Sequence, residues 1–344
     1  MRANPNRHAG FTLIELMIAV TLGLLVLAAL TSFFVRTSYN RSELERNSQQ
    51  IENGRFAINA LRDDMMLAGF YADLNAPPTA VWNTPAACAT SGNMGFVPHD
   101  PTTTPPPELP VPIFIYPLGA GAPAGCTPDI LANTDVIVIR RFNTEPTPVA
   151  SVVSTQTYVQ ISECASGPSA DNPATPYLVD TGANAANFIL RNRNCSAAAN
   201  LWRYREQLYY VRNYSVNAGD GIPTLVRVEL DGGVSNPVPL VEGIDNLRVD
   251  LGVDTTGDGA PDVWRRCDAA TPCTAADYSN VMAAKVYVLS RTLDQSREYT
   301  DTKAYQLGVS GSTTATNDHY KRHVYSALIG MPNRSGPREP ILAS

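Results

Sequence analysis

Residues 10–35 read GFTLIELMIAVTLGLLVLAALTSFFV. From Phe11 to Val35 the run carries a single charge, Glu15. It is long enough to cross a bilayer, for which about 20 apolar residues suffice. Arg2 and Arg7 precede it, so the N-terminus stays cytoplasmic and everything after Val35 is sent across the membrane. The order is the reverse of an ordinary secretory signal, in which a small residue follows the apolar stretch. Here the small residue, Gly10, stands before it. A carboxylate at membrane depth is costly and marks a functional position that needs a partner.

Beyond Val35 the helical period continues. Leu44, Ile51, Ile58 and Met65 recur every seven residues, with Leu61 and Ala68 beside them, so the spacing predicts one helix from Phe11 to about Gly69. Its second half, rich in Arg, Glu and Asp away from that stripe, is expected to pack on a globular domain. After Tyr71 the pattern turns to period two and β-branched runs. Strands are expected at Asp135–Arg141, Val152–Gln160, Gln207–Tyr214, Thr224–Leu230, Asp245–Val253, Met282–Arg291 and His323–Ile329. No second helix of comparable length is visible. These elements predict an α+β fold: a long N-terminal helix packed on an antiparallel β-sheet head with extended, disulfide-bearing loops.

Composition narrows the class. The 344 residues carry a net charge of −6, only 17% are charged, and no Lys/Arg-rich run occurs in the body, which argues against nucleic acid. The 23 Gly and 27 Pro residues concentrate near 77–128 and 167–176, which read as surface loops. Six cysteines, Cys88, Cys126, Cys164, Cys195, Cys267 and Cys273, show no C-x-x-C and no paired His, so they read as disulfides of an oxidising compartment. Pairing in chain order is preferred among the connectivities, because each pair then brackets one local insertion.

The stretch Gly10-Phe11-Thr12-Leu13-Ile14-Glu15 resembles the class III signal of type IV pilins and type II secretion pseudopilins. That resemblance implies cleavage by a prepilin peptidase between Gly10 and Phe11, N-methylation of Phe11, and an assembly role for Glu15. The α-amino group of a neighbouring subunit's Phe11 is the natural counter-charge for Glu15, since buried charges persist only when paired. Further segments are similar to PilW-type minor pilins of type IV pilus assembly: Asn53–Ala57, Arg62-Asp63, Met66–Tyr71, Asp135–Arg141, Leu208–Val211, Gly252–Asp262 and Lys321–Ser326. The likeness extends from Phe11 to about Arg334 and implies a type IV pilin fold. It divides the chain into a leader (1–10), a transmembrane and filament-core half-helix (11–35), a periplasmic amphipathic half-helix (36–71) and a β-rich head (72–344). The expected function is initiation of pilus assembly in a priming complex at the inner membrane, as a single-pass protein that then passes into the pilus, at its tip. Expected partners are other minor pilins, the major pilin, a tip adhesin and the peptidase. The rival readings are a minor pseudopilin of the GspJ kind and a membrane-anchored periplasmic binding protein or hydrolase.

One constellation suits a metal. Asp254, Thr256, Asp258, Ala260 and Asp262 stand at positions 1, 3, 5, 7 and 9 of an EF-hand-like loop with Gly259 at position 6, so Ca²⁺ is the candidate cofactor. Arg265 replaces the bidentate Glu at position 12, and Asp258-Gly259 equally suits a plain hairpin turn. Catalysis is not expected. Of four histidines, His8 lies in the leader, and His99, His319 and His323 have no recognisable nucleophile context. On a strand, His319 and His323 stand about 13 Å apart, too far to share one ion.

Overall fold

The computed structural model describes residues 12–72, 74, 81–89, 94–97, 108–164, 171, 176–230, 233, 236–309, 311–313 and 315–338. They fall into two units, 1–49 and 50–344. Helix α1, Leu13–Met66, contributes to both.

In the first unit the apolar side chains of α1 are exposed on every side, from Leu13 through Leu24, Phe33 and Val35. A helix apolar all round belongs in lipid or inside a bundle. Its few polar groups are satisfied within the helix. The hydroxyls of Thr21, Thr31 and Ser32 donate to the carbonyls of Met17 (2.9 Å), Leu27 (2.7 Å) and Ala28 (3.0 Å), as a medium without water requires.

In the second unit the same helix is sorted. Gln50, Gly54, Ala57, Ile58, Leu61, Met65 and, just past its end, Ala68 are buried, at steps of three and four. Leu44 and Ile51, expected on the buried stripe, are 68% and 44% exposed. A strict seven-residue repeat drifts about 20° per heptad around a straight helix, so a line drawn through Met65 leaves the buried face by Ile51. The core-facing position there is held by Gln50, whose Nε2 donates to the carbonyls of Ser290 (2.8 Å) and Lys321 (3.0 Å).

Among the described residues the head contains thirteen strands: β1 Val81–Asn83, β2 Glu108–Pro110, β3 Ile113–Tyr116, β4 Val136–Phe142, β5 Thr157–Ile161, β6 Tyr177–Thr181, β7 Leu201–Arg212, β8 Thr224–Leu230, β9 Val238–Glu242, β10 Ile244–Val253, β11 Val263–Arg265, β12 Val281–Arg291 and β13 Arg322–Gly330. Two short helices, α2 (Ala275–Ser279) and α3 (Pro332–Ser335), complete the order. The expected antiparallel pairing holds, but the strands divide into two sheets. One runs β3-β4-β7-β5-β6, with β8 paired to β7 and β9 to β8; the other runs β11-β10-β12-β13. Strands β1 and β2 form a small parallel pair. The chain passes between the large sheets at Gly243, where φ is +72° and a Cβ would lie 2.7 Å from the Arg291 carbonyl oxygen. Only glycine accommodates that bend without strain.

One core joins α1 to both sheets. Ala57, Ile58, Leu61 and Met65 share it with Ile137, Ile139 and Tyr209 of the first sheet and with Leu247, Val249, Val286 and Val288 of the second. The Pro-rich stretch read as surface loop supplies part of it, Val111, Ile113 and Ile115, while Leu109 is buried in a separate cluster with Tyr71, Phe96 and Phe142. Two polar anchors and one close ring contact bind the helix. Asp64 accepts from Arg141 of β4 (3.4 Å) and from the Tyr209 hydroxyl. Asn53 Nδ2 donates to the Glu242 carbonyl at 3.1 Å. At Gly54 the Tyr325 ring of β13 lies so close that a Cβ would stand 2.2 Å from it.

The end of α1 has no basic residue in its last turn. Residues after β13 supply the missing groups. Asn333 Nδ2 donates to the carbonyls of Met66 (3.3 Å) and Ala68 (3.5 Å), and the Arg334 stem packs against Gly69. The Arg334 guanidinium lies 4.4 Å over Trp82 and donates to the Ser279 carbonyl. A cation beside the free carbonyls of a helix C-terminus is favourable. Burial still pulls the Arg334 guanidinium down to about 10.

Cysteines pair in chain order: Cys88–Cys126, Cys164–Cys195 and Cys267–Cys273. Cys88 also fastens a buried ion pair. Its N–H donates to Glu206 Oε1 (2.7 Å), while Glu206 Oε2 receives Arg140 Nε (2.7 Å).

Candidate functional site

The processing residues Gly10 and Phe11 lie outside the described residues. Glu15 sits in the first turn of α1, where Thr12 N–H and Thr12 Oγ1 each donate to Glu15 Oε2 at 3.0 Å. Glu15 N–H donates back to Thr12 Oγ1 at 3.3 Å. This is a capping box, readable in Thr12-Leu13-Ile14-Glu15 as the T-x-x-E pattern, and it gives Glu15 a local partner that the search for a counter-charge overlooked. Among the described residues Oε1 has no hydrogen-bond partner, which leaves one carboxylate oxygen open there.

Around Glu15, Leu13, Ile14, Leu16, Met17 and Ile18 are all more than half exposed. Among the described residues one helix, α1, is long and apolar enough to span a membrane, and none of its apolar stretch is buried. Chemically this end of the molecule is an unpartnered apolar rod with one carboxylate near its tip.

The acidic loop has a different character. Asp254 Oδ1 accepts the N–H groups of Thr256 (3.0 Å) and Gly257 (2.5 Å), and Oδ2 that of Gly259 (3.0 Å). Arg338 completes the arrangement, with Nη1 3.3 Å from Asp254 Oδ2 and Nη2 2.8 Å from Asn280 Oδ1. Burial works to raise the Asp254 carboxyl, yet these donors outweigh it and hold it below the usual range. Asp262 Oδ2 accepts the N–H groups of Thr255 (2.7 Å) and Thr256 (3.1 Å), and Asp258 Oδ1 that of Ala260 (2.9 Å). Each carboxylate thus serves its own backbone. Among the described residues no group of three or more His, Cys, Asp or Glu side chains is placed to hold a metal ion.

His319 Nδ1 contacts the Tyr299 carbonyl, and the His323 ring stacks edge-on against Tyr325 with centroids 4.8 Å apart. The two histidines serve separate contacts; His8 and His99 lie outside the described residues. The hub that residue reading missed is Arg322. Its guanidinium binds Asp245 (2.6 Å), Asp301 (3.0 Å) and Asp318 (2.6 Å), bolting the long 292–321 loop to the end of β10. A second hub is Asp135, which receives Leu118 N–H (2.9 Å), Val249 N–H (3.0 Å) and the guanidinium groups of Arg248 (3.0 Å) and Arg266 (3.3 Å). Four of these partners, Asp245 of Arg322 and Val249, Arg248 and Arg266 of Asp135, lie 77 to 131 residues away, beyond the reach of any local pattern.

Residues 5–31 match the prokaryotic N-terminal methylation motif, and residues 208–333 match the type IV pilus-assembly protein W family. No curated protein matches the chain. Among solved structures, a type IV-like pilin from Thermus thermophilus shows a slight likeness, with 18% identity and a TM-score of 0.24 over 39% of this chain and 70% of that one. The chain thus carries a methylation motif on a membrane-length apolar helix, followed by a disulfide-bonded antiparallel head. The second match runs from β7 into α3, so the part of the head that resembles the pilus-assembly family comprises β8 to β13 and the end of β7.

Proposed function

We propose that this chain is a non-enzymatic subunit that primes type IV pilus assembly at the inner membrane and enters the pilus at its tip. The observation that carries the reading is the joint occurrence of the methylation motif at residues 5–31 and the pilus-assembly family match at 208–333 on one chain. In this reading a prepilin peptidase cuts between Gly10 and Phe11 and methylates Phe11. Residues 11–35 then serve as anchor and filament core, 36–71 link them to the head, and the head of residues 72–344 stands in the periplasm. Partners are the other minor pilins, the major pilin and a tip adhesin. Glu15 pairs through its open oxygen with the Phe11 amine of a neighbouring subunit, so one charge pair sets the axial register of otherwise featureless rods. The family matched at 208–333 is one of type IV pilus assembly, which weighs for the pilus over a GspJ-like pseudopilin or a periplasmic hydrolase.

Two measurements test this. Intact mass of the mature chain is expected to show loss of residues 1–10 and one added methyl group; an uncut Met1 terminus overturns it. Deletion of the gene is expected to abolish or strongly reduce surface pili, restored by the natural chain and poorly by Glu15→Ala. Unchanged piliation on deletion refutes the priming role.

A further inference from the structure

The second sheet ends on β13, and that edge is open. Thr292 N–H donates to the Lys321 carbonyl (2.9 Å) and Met331 N–H to the Met282 carbonyl (2.8 Å), so both pairs belong to the hydrogen-bonded set of the β12–β13 ladder. Register between them is unbroken, from Arg291↔Arg322 to Ala283↔Gly330. Hydrogen-bonded and non-hydrogen-bonded pairs alternate along an antiparallel ladder. His323, Tyr325, Ala327 and Ile329 therefore turn their backbone groups toward β12, while Val324, Ser326, Leu328 and Gly330 turn theirs outward.

The Tyr305 hydroxyl takes the Arg322 carbonyl at the start of this row, at 3.4 Å. Among the described residues the four that follow find no backbone partner on the outer side. Ser326, Leu328 and Gly330 are exposed, Leu328 by 57%.

Proteins blunt such edges with prolines, lysines, bulges or brevity. Other edges here are treated in those ways or have a backbone donor taken by a side chain. β9 carries Pro239 and lies against a register shift, β11 has three residues, β3 has four, and on β6 the Thr181 N–H is taken by Asp180 Oδ1. From His323 to Gly330, β13 has no Pro, no Lys and no register shift. Nor do the described residues after Met331 turn toward it. After Met331, Arg334 reaches Ser279 and Arg338 reaches Asp254 and Asn280, which lie toward β10, on the opposite side of β12.

We propose that β13 accepts an extended strand of another polypeptide, which lengthens the sheet by one strand. Alternating N–H and C=O groups at strand spacing are satisfied by an extended main chain and by no compact ligand. The open row from Val324 to Gly330 is about 20 Å long, which fits a partner segment of about six or seven residues. Its side chains follow from the face they share. Val324, Ser326 and Leu328 stand beside Leu289, Tyr287 and Lys285 on the side of the sheet away from α1. The partner therefore places apolar residues opposite Val324 and Leu328 and a small or polar one opposite Ser326.

The test uses the full chain in detergent micelles and a synthetic seven-residue peptide of alternating valine and threonine, N-methylated on every second residue so that it pairs along one edge only. In the chain alone, amides of Ser326, Leu328 and Gly330 are expected to exchange with solvent rapidly and those of Tyr325, Ala327 and Ile329 slowly. Peptide is expected to slow the first set. Ser326→Pro removes an outward N–H and leaves the ladder to β12 whole, so it is expected to weaken peptide binding about tenfold or more, while Ser326→Ala leaves binding intact. Should the proline lower the melting temperature, Leu328→Lys places a charge on the same edge and is expected to weaken binding likewise. Slow exchange of the outward amides in the chain alone overturns the proposal, with sizing to distinguish a second copy from an internal segment. Binding insensitive to both edge variants overturns it equally.

Discussion

Helix α1 is one hydrogen-bonded rod with two surfaces. Between Leu13 and Val35 nearly every side chain is apolar and exposed, and no face is distinguished from another. Between Gln50 and Met66 polar and apolar residues are equally mixed in sequence yet sorted in space, with Ala57, Ile58, Leu61 and Met65 turned inward. The difference lies in what surrounds each half. A uniform apolar surround asks only for composition, whereas a protein core on one side and water on the other impose a period of 3.6 residues.

The sharpest way to break that contrast is the same truncation in both halves. Leu61→Ala is expected to cost the head about 2–5 kcal/mol through the cavity it leaves, while Leu25→Ala changes head stability by no more than about 0.5 kcal/mol; thermal melting of the full chain in micelles compares them. Equal losses would mean that both halves are packed alike. Asp64→Ala is expected to cost about 2–3 kcal/mol, because it strands the largely buried Arg141 and the Tyr209 hydroxyl; Asp64→Asn should recover part of that loss.

Gly54→Ala sharpens the comparison further. In an exposed helix the change stabilises by about 1 kcal/mol, but here the new methyl meets the Tyr325 ring, and overpacking of that kind costs about 1–3 kcal/mol. Net destabilisation is expected in the natural background and stabilisation when Tyr325→Ala is also present. Gly23→Ala, where nothing lies within 4 Å, is the matching change in the apolar half and should leave the head unaffected.

Much of this arrangement was legible beforehand, for reasons that differ by region. The N-terminal signal was readable because Gly10, Phe11 and Glu15 lie within six consecutive residues of a linear motif. β4, β8, β10 and β12 were readable from dense β-branched runs. β1, β2 and β9 were not, because they are short and, in β2 and β9, interrupted by Pro110 and Pro239. The division into two sheets depends on a turn at Gly243 that looks like any other glycine in sequence. Leu44 and Ile51 misled because an apolar residue can occupy the exposed face of an amphipathic helix, and exposure of single hydrophobes is ordinary.

Two smaller effects belong to the head alone. Hydrogen bonds from Arg322 hold the Asp318 carboxyl below its usual range. That contribution is complete above the unfolded value near 4 and is lost as pH falls through the folded value. Asp318 is 31% exposed, so solvent screening leaves about 0.5–1 kcal/mol. Urea midpoints of the natural chain and Asp318→Asn are expected to differ at pH 7 and converge by about pH 2; a constant difference would refute the ion-pair account. The smallest expected effect is that of calcium. With its carboxylates already hydrogen-bonded to their own loop, the head should keep its melting temperature at about 10⁻² M Ca²⁺, above the weak end of extracellular sites. A rise that disappears in Asp258→Ala would restore the metal.

The closure of α1 by Asn333 and Arg334 has a consequence for the order of folding. A polypeptide is made and exported from its N-terminus, so this helix is among the earliest elements to emerge and waits for its terminal cation until some 270 residues later. Contacts of such sequence separation are slow to form, because the loop between them must be closed before they repay its entropy. The oldest element of the chain is thus completed by its youngest, and until β13 docks, the sorted face of α1 remains a surface that a chaperone or a neighbouring subunit is free to hold.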